Sequence, residues 1–347
     1  MKLSARLSDL TADRDNNFNL MRLGAAAAVV LSHSFILSYN EPNSFPRGLG
    51  YLAVNCFFIM SGFLICKSVL TRRDIRGFYK ARILRIYPAL TIAILACVLI
   101  VGPLHTDLPL AGYFSNSETY HFLIKNSLLL FNVEPHLPAV FGSHGSEKMV
   151  NAPIWTLVFE IYLYLFIGLL GLITLKKGDQ KTTLFIALII VLSVVALAFY
   201  VYSITLHDFT NKLLADSLRF AGLFGIGVSY YICRKWIRLS PLILISLLAT
   251  LVISIKFPTL HKAILYPILA YLLFYMAYIP RGFLLSFNRL GDYSYGVYIF
   301  AYPIQQSISH WNVGISTMEL FISSFLLSLF FAVLSWHYVE SKALSYS

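Results

Sequence analysis

Charge is what this sequence has least of. Asp, Glu, Lys and Arg together make up 12% of its 347 residues, while 58% are hydrophobic, and the mean hydropathy is +0.72. A soluble domain carries about 25% charged residues, so that class is excluded. Acid is scarcer than base, 16 Asp and Glu against 27 Lys and Arg, for a formal net charge of +11. Cysteine is scarce too: Cys56, Cys66, Cys97 and Cys233 all fall within or at the ends of apolar runs, a placement that suits small packing residues better than disulfide partners or ligands. Repeats and low-complexity linkers are missing as well, which makes one membrane-embedded domain over residues 1–347 the economical expectation.

Long apolar runs are what the chain has in abundance. They lie at about 18–39, 50–68, 83–104, 152–175, 182–204, 214–233, 239–256, 261–279, 292–309 and 316–338. Most have the length a helix needs to cross the hydrocarbon core, and they lack the short alternating pattern of a membrane barrel. The expected fold is therefore an all-α polytopic membrane protein with about ten transmembrane helices. Basic residues alternate between the two sides. Lys2, Arg6, Arg14, Lys67, Arg72, Arg73, Arg76, Lys80, Lys176, Lys177, Lys181, Arg234, Lys235, Arg238, Arg281 and Arg289 share one side; Arg47, Lys125, Lys148, Lys212, Lys256 and Lys262 hold the other. The positive-inside rule then puts both termini in the cytoplasm, as an even number of spans requires. The basic excess is a topology signal, and nucleic acid is not an expected partner.

Residues 1–17 read as a polar cytoplasmic segment before a retained first helix, not as a cleaved signal. The stretch 105–151 reads as an extracytoplasmic loop. Its "HFLIKNSLLLF" is too short to span and is expected to form a re-entrant or surface helix. His105, His121, His136 and His144 lie in this loop without the short paired spacing of a metal site, so no metal is expected.

Several polar residues sit where hydrocarbon is expected. In "NFNLMRLGAAAAVVLSHSFILSY", Arg22 and His33 are eleven residues apart, within about 20° of three full turns and roughly 16 Å along the axis, hence on one helix face. Arg22 at a helix end can simply snorkel. His33 is an ionisable group deeper in the span and defaults to a functional reading. Glu160 in "NAPIWTLVFEIYLYLF" lies about 3 Å from the depth of His33 by helical rise, so the two could meet, a carboxylate orienting a basic imidazole; the competing reading is a carboxyl that only joins helices. Arg82 and Arg85 in "FYKARILRIYPAL", with Lys80 before them, stand at the cytoplasmic entry of the third helix. They carry either the positive-inside signal alone or a clamp for a phosphorylated cytosolic donor. Ser61 and Gly62 in "FFIMSGFLI" interrupt an apolar run, a packing feature before anything else, with Ser61 a possible substrate contact. Trp155 is a sugar-stacking residue or an interfacial anchor.

In order along the chain, these elements resemble the acyltransferase 3 family of bacterial membrane acyltransferases. The shared features are Arg22, ten residues, then His33; Phe57, Phe58, Ser61, Gly62, Phe63 and Leu64; Arg82, Arg85, Ile86 and Pro88; Trp155, Leu157 and Glu160; and Ser294, Tyr295, Gly296 and Tyr298. The resemblance implies transfer of an acyl group, usually acetyl, from cytoplasmic acyl-CoA to a sugar hydroxyl at the outer face, in a multi-pass protein of the bacterial inner membrane. It implies a catalytic role for His33 with Arg22 as its companion, and donor binding by Arg82 and Arg85. The carbohydrate or glycolipid acceptor and the oligomeric state stay open. Ala301 stands where members often have histidine, and the soluble esterase-like extension of some members is not expected, which would leave the whole reaction to the membrane domain. The rival reading is a transporter or flippase for a glycan, disfavoured by the missing pseudo-repeat.

Overall fold

The structure is a computed structural model. It describes residues 4–12, 15–38, 46–72, 74–130, 132–142, 149–174, 179–206 and 211–347. Lys2, Arg14, Arg73, His144, Lys148, Lys176 and Lys177, which entered the charge and histidine readings, lie outside the described residues.

The main helices are α1 Phe18–Leu37, α2 Pro46–Arg72, α3 Ile75–Ala96, α4 Ser117–Leu128, α5 Trp155–Thr174, α6 Asp179–Leu206, α7 Lys212–Ile232, α8 Pro241–Ile253, α9 Pro258–Tyr278, α10 Ser294–Trp311 and α11 Thr317–Ser335. All except α4 fall on the stretches expected from hydropathy. Among the described residues, six helical runs are long and apolar enough to cross a membrane: Phe18–Leu37, Gly48–Thr71, Ile75–His105, Ala152–Leu172, Pro258–Tyr278 and Thr317–Ser345. Ile186–Tyr202 and Pro241–Lys256 are shorter apolar helices. The protein is thus an all-α polytopic membrane protein. Helices α7 and α10 miss that apolar threshold because polar side chains interrupt them, Asp216 and Arg219 in one and Gln305, Gln306 and His310 in the other. Large apolar side chains such as Leu99, Ile100, Val194, Phe199, Leu326 and Phe330 are exposed, as surfaces facing lipid require.

The chain forms two compact units, each assembled from three segments: Met1–Met21, Asn55–Phe78 and Leu163–Leu290 in the first, Arg22–Val54, Tyr79–Tyr162 and Gly291–Ser347 in the second. The first unit is held by close helix approach and aromatic packing. A Cβ on Gly62 would lie 2.0 Å from the Phe224 carbonyl oxygen, and one on Gly227 would lie 2.0 Å from that of Ile59. Helices α2 and α7 therefore meet backbone to backbone, which small residues alone permit. Phe58 stacks on Phe220 with centroids 4.0 Å apart, and Phe63 packs on Phe274 at 4.4 Å.

In the second unit α1, α3 and α10 run parallel. Arg22 and Arg85 both reach Asp292 just before α10. At the far ends the Ser309 hydroxyl donates to the Leu37 carbonyl, and the His105 ring meets that of His310. Helix α11 returns antiparallel beside α10, where a Cβ on Gly296 would lie 2.6 Å from Ala332 Cβ. The "HFLIKNSLLLF" stretch is largely helical: α4 starts at an Asn116 cap and buries Thr119, Phe122 and Asn126 on one face.

Candidate active site

Four charges meet at the start of α10. The Arg22 guanidinium donates to Asp292 Oδ2 at 3.0 Å, and Arg85 donates to the same oxygen at 2.6 Å. Arg85 also reaches Glu340 Oε2 at 3.3 Å. The remaining carboxylate oxygens accept from hydroxyls, Asp292 Oδ1 from Ser294 and Glu340 Oε1 from Ser335. Glu340 is fully buried and Asp292 is 6% exposed. Charges out of water persist only when paired and hydrogen-bonded, and here two cations face two anions. The backbone places Asp292: Gly291 has φ of +121° and lies so close to Trp336 that a Cβ would fall 2.3 Å from its indole nitrogen. The Arg85 guanidinium lies 5.6 Å from the Tyr295 ring and 5.7 Å from that of Trp336. Glu340 closes a π-helical turn over Trp336–Glu340. Neither acid was singled out in the sequence, because their partners lie 207 to 270 residues away. The signal available was an Asp directly before the Ser-Tyr-Gly element.

Beyond this cluster α1 and α10 stay in register. Gln305 Nε2 donates to the Val30 carbonyl at 2.8 Å and to Ser34 Oγ at 2.7 Å. The partly exposed His33 ring meets Tyr302 edge-on, with centroids 5.0 Å apart. Tyr302 belongs to a ridge of polar side chains spaced by four, Ser294, Tyr298, Tyr302, Gln306 and His310, which a helix stacks along one face. Tyr298 bonds Thr156 Oγ1 at 2.7 Å and donates to the Pro153 carbonyl at 3.1 Å. Gln306 Nε2 donates to the Met149 carbonyl at 2.9 Å and to Tyr302 Oη at 3.3 Å. Pro303 lacks an N–H, so the Ile299 carbonyl loses its helical partner. Asn151 Nδ2 donates to it instead at 3.0 Å. The ridge ties the segment 149–156 to the level of His33.

The expected meeting of His33 and Glu160 is not present. Among the described residues His33 makes its ring contact with Tyr302 and no ion pair or hydrogen bond. Glu160 sits half-buried one turn after Thr156, close enough to Tyr298 to act on it electrostatically. Equal depth left the rotation of each helix about its axis undetermined, and that rotation sends Glu160 toward Tyr298. Trp155, half-buried beside it, packs edge-on against Phe159 with centroids 5.5 Å apart. On α3, Lys80 is exposed, Arg82 half-buried, and Arg85 turned into the ion cluster. Ser61 belongs to the first unit, where its buried hydroxyl bonds Tyr164 Oη at 3.1 Å.

The protein is thus an α-helical membrane body that buries an ion cluster at the start of α10 and sets His33 against the polar ridge of that helix. The acyltransferase 3 family model, described as an acyltransferase domain, matches residues 15–337. The chain belongs to this family and is an acyltransferase. The O-acetyl transferase of Shigella phage Sf6 is 30% identical over 350 residues, covering 96% of this chain and 97% of that protein. Nodulation protein 10 of Rhizobium leguminosarum bv. viciae is 31% identical over 163 residues, 45% of this chain and 44% of that one. YrhL of Bacillus subtilis (strain 168), whose name proposes peptidoglycan O-acetylation, is 24% identical over 349 residues, 91% of this chain and 53% of its own length. No solved structure matches the chain.

Proposed function

We propose that this protein is an O-acetyltransferase of the bacterial inner membrane, moving an acetyl group from cytoplasmic acetyl-CoA to a hydroxyl of an extracytoplasmic carbohydrate such as O-antigen, capsule or exopolysaccharide. The observation that carries the reading is the α1–α10 pair: one parallel couple of helices holds Arg22 in the ion cluster at its start and His33 against Tyr302 about three turns on. A thioester on a long flexible arm, anchored by its phosphates at the cationic end, would reach His33 along that couple. The Shigella phage Sf6 relative is named for O-acetyl transfer, and that name supports the acetyl group and the oxygen acceptor.

His33 acts as general base. The acceptor oxygen attacks the thioester carbonyl carbon, the new C–O bond forms, the C–S bond breaks, and the hydroxyl proton passes through the imidazole to the departing thiolate. Tyr302 packs the ring so that it faces the reacting atoms. Arg82 and Lys80 bind donor phosphates, while Arg85 and Arg22, already neutralised by Asp292 and Glu340, hold α3 and α1 against α10. Glu160 acts through Tyr298, and Trp155 faces the acceptor. Cytoplasmic termini and ten crossings complete the reading; the shared direction of α1, α3 and α10 supports it, since an odd number of spans, one and then five, lies between each of them and the next in an alternating chain.

The test is transfer of radiolabel from [acetyl-labelled] acetyl-CoA into surface polysaccharide by membranes containing the protein, followed by mass spectrometry of the glycan. Label in base-labile ester on the polysaccharide is the expected result. A folded protein whose membranes leave all label on the donor would overturn the assignment.

A further inference from the structure

Resting on the acetyltransferase reading, we propose that the end of α10 remote from the ion cluster carries the acceptor subsite, in which His105, His310 and Trp311 receive a carbohydrate ring and its hydroxyls. Three observations converge there. First, His105 is 4% exposed, and neither ring nitrogen has a hydrogen-bond partner. A neutral imidazole has one donor and one acceptor, and burying both unmatched is unfavourable unless a ligand completes them. A sugar hydroxyl, which both donates and accepts, is the complementary group.

Second, the ring is boxed by aromatic partners, one of which is exposed. Its centroid lies 4.8 Å from Phe141, 5.1 Å from His310 and 4.6 Å from Trp311. Trp311 is 62% exposed, so an apolar indole surface stands free beside the two imidazoles, the pairing of flat apolar platform and polar groups that a pyranose needs. Two imidazoles are also short of a zinc set, and among the described residues no group of three metal-ligating side chains occurs.

Third, the loop over His105 is held in an unfavourable conformation. Ala139 and Phe141 have φ of +53° and +63°, the left-handed region that non-glycine residues seldom adopt and that gathers at ligand clamps. The loop is stapled there by Phe141 N–H to the His105 carbonyl at 3.2 Å, Asp107 N–H to the Ala139 carbonyl at 3.1 Å and the Thr106 hydroxyl to the Pro138 carbonyl at 2.9 Å. His310 is the last residue of the four-spaced ridge, two steps beyond Tyr302. An acceptor seated at His310 therefore lies roughly 12 Å along α10 from the residue that touches His33, a distance a second or third sugar of the same glycan spans.

The experiment uses the full chain in membrane vesicles, labelled acetyl-CoA, and polysaccharide prepared from cells lacking the protein. Initial rates are measured with each substrate varied in turn for wild type, His105→Phe, Trp311→Ala and Trp311→Phe. His105→Phe keeps the ring packing and removes both nitrogens; it should raise the polysaccharide KM about five- to tenfold, the effect of a lost hydrogen bond, with the acetyl-CoA KM unchanged. Trp311→Ala should raise the polysaccharide KM likewise, and Trp311→Phe should restore most of it. Polysaccharide KM values within twofold of wild type in both His105→Phe and Trp311→Ala overturn the subsite while leaving the activity standing. Equal rises in both KM values also overturn it, because they mark a structural role. A wild-type protein that moves no label removes the activity and the subsite together.

Discussion

The two units meet the problem of a membrane interior with a different balance of forces. The first leads with close packing: Gly62 and Gly227 bring α2 and α7 into backbone contact, and Phe18, Phe63, Phe274 and Tyr278 fill the space beside them, with hydrogen bonds such as Ser61–Tyr164 and Asn17–Met276 joining its segments. The second buries Asp292, Glu340, Gln305 and Asn151 and matches them across helices. Lipid gives helices no hydrophobic reason to associate, so close packing and interhelical hydrogen bonds are the available forces. Both units use both, and the second adds the ion cluster of Arg22, Arg85, Asp292 and Glu340. A polar interior is the more expensive choice, and it is found where Arg22 and His33 lie.

That contrast predicts which variants lose chemistry and which lose the folded protein. The largest effect belongs to His33→Ala, which should lower acetyl transfer by about 10²–10⁴-fold, the range for a lost general base, with unchanged protein in the membrane; radiolabel transfer per mole of protein checks it. Retained activity would break the comparison at its centre. Next, Asp292→Ala takes the carboxylate from the partly buried Arg22 and leaves Arg85 with Glu340; it should destabilise by about 3 kcal/mol, read as a lower thermal midpoint in detergent, while Asp292→Asn should lose less. Gly62→Val should then destabilise by about 2 kcal/mol through overpacking, with kcat per folded molecule unchanged. A fall in kcat without a fall in stability would show that the first unit shares in the chemistry. The smallest effect is Arg82→Ala, expected to raise the acetyl-CoA KM about tenfold and leave kcat alone, since phosphate binding is equal in ground and transition states. A change in kcat instead would move Arg82 from donor binding into the reaction itself.

Helix positions were legible in the sequence because apolar length and rise per residue are local quantities: α1, α2, α5 and α9 fall within a few residues of the expected runs. So was the shared face of Arg22 and His33, which helical period alone decides. The partners were not legible. Depth matching suggested Glu160 for His33, yet the structure gives His33 the edge of Tyr302. Arg82 and Arg85 looked equivalent at a spacing of three, and the structure shows Arg85 committed to both Asp292 and Glu340. Ser61 looked like a polar break in an apolar run, and the structure gives its hydroxyl to Tyr164.

By itself the sequence determined that this protein is a helical membrane body, with an arginine and a histidine on one face of its first helix, because composition, run length and period act over neighbouring residues. Only the tertiary structure decided that the arginine is neutralised by an aspartate 270 residues away and that the histidine faces a tyrosine on a parallel helix. Pairings of that kind depend on how each helix is turned about its axis and which helices are neighbours, and no local pattern in the chain encodes either.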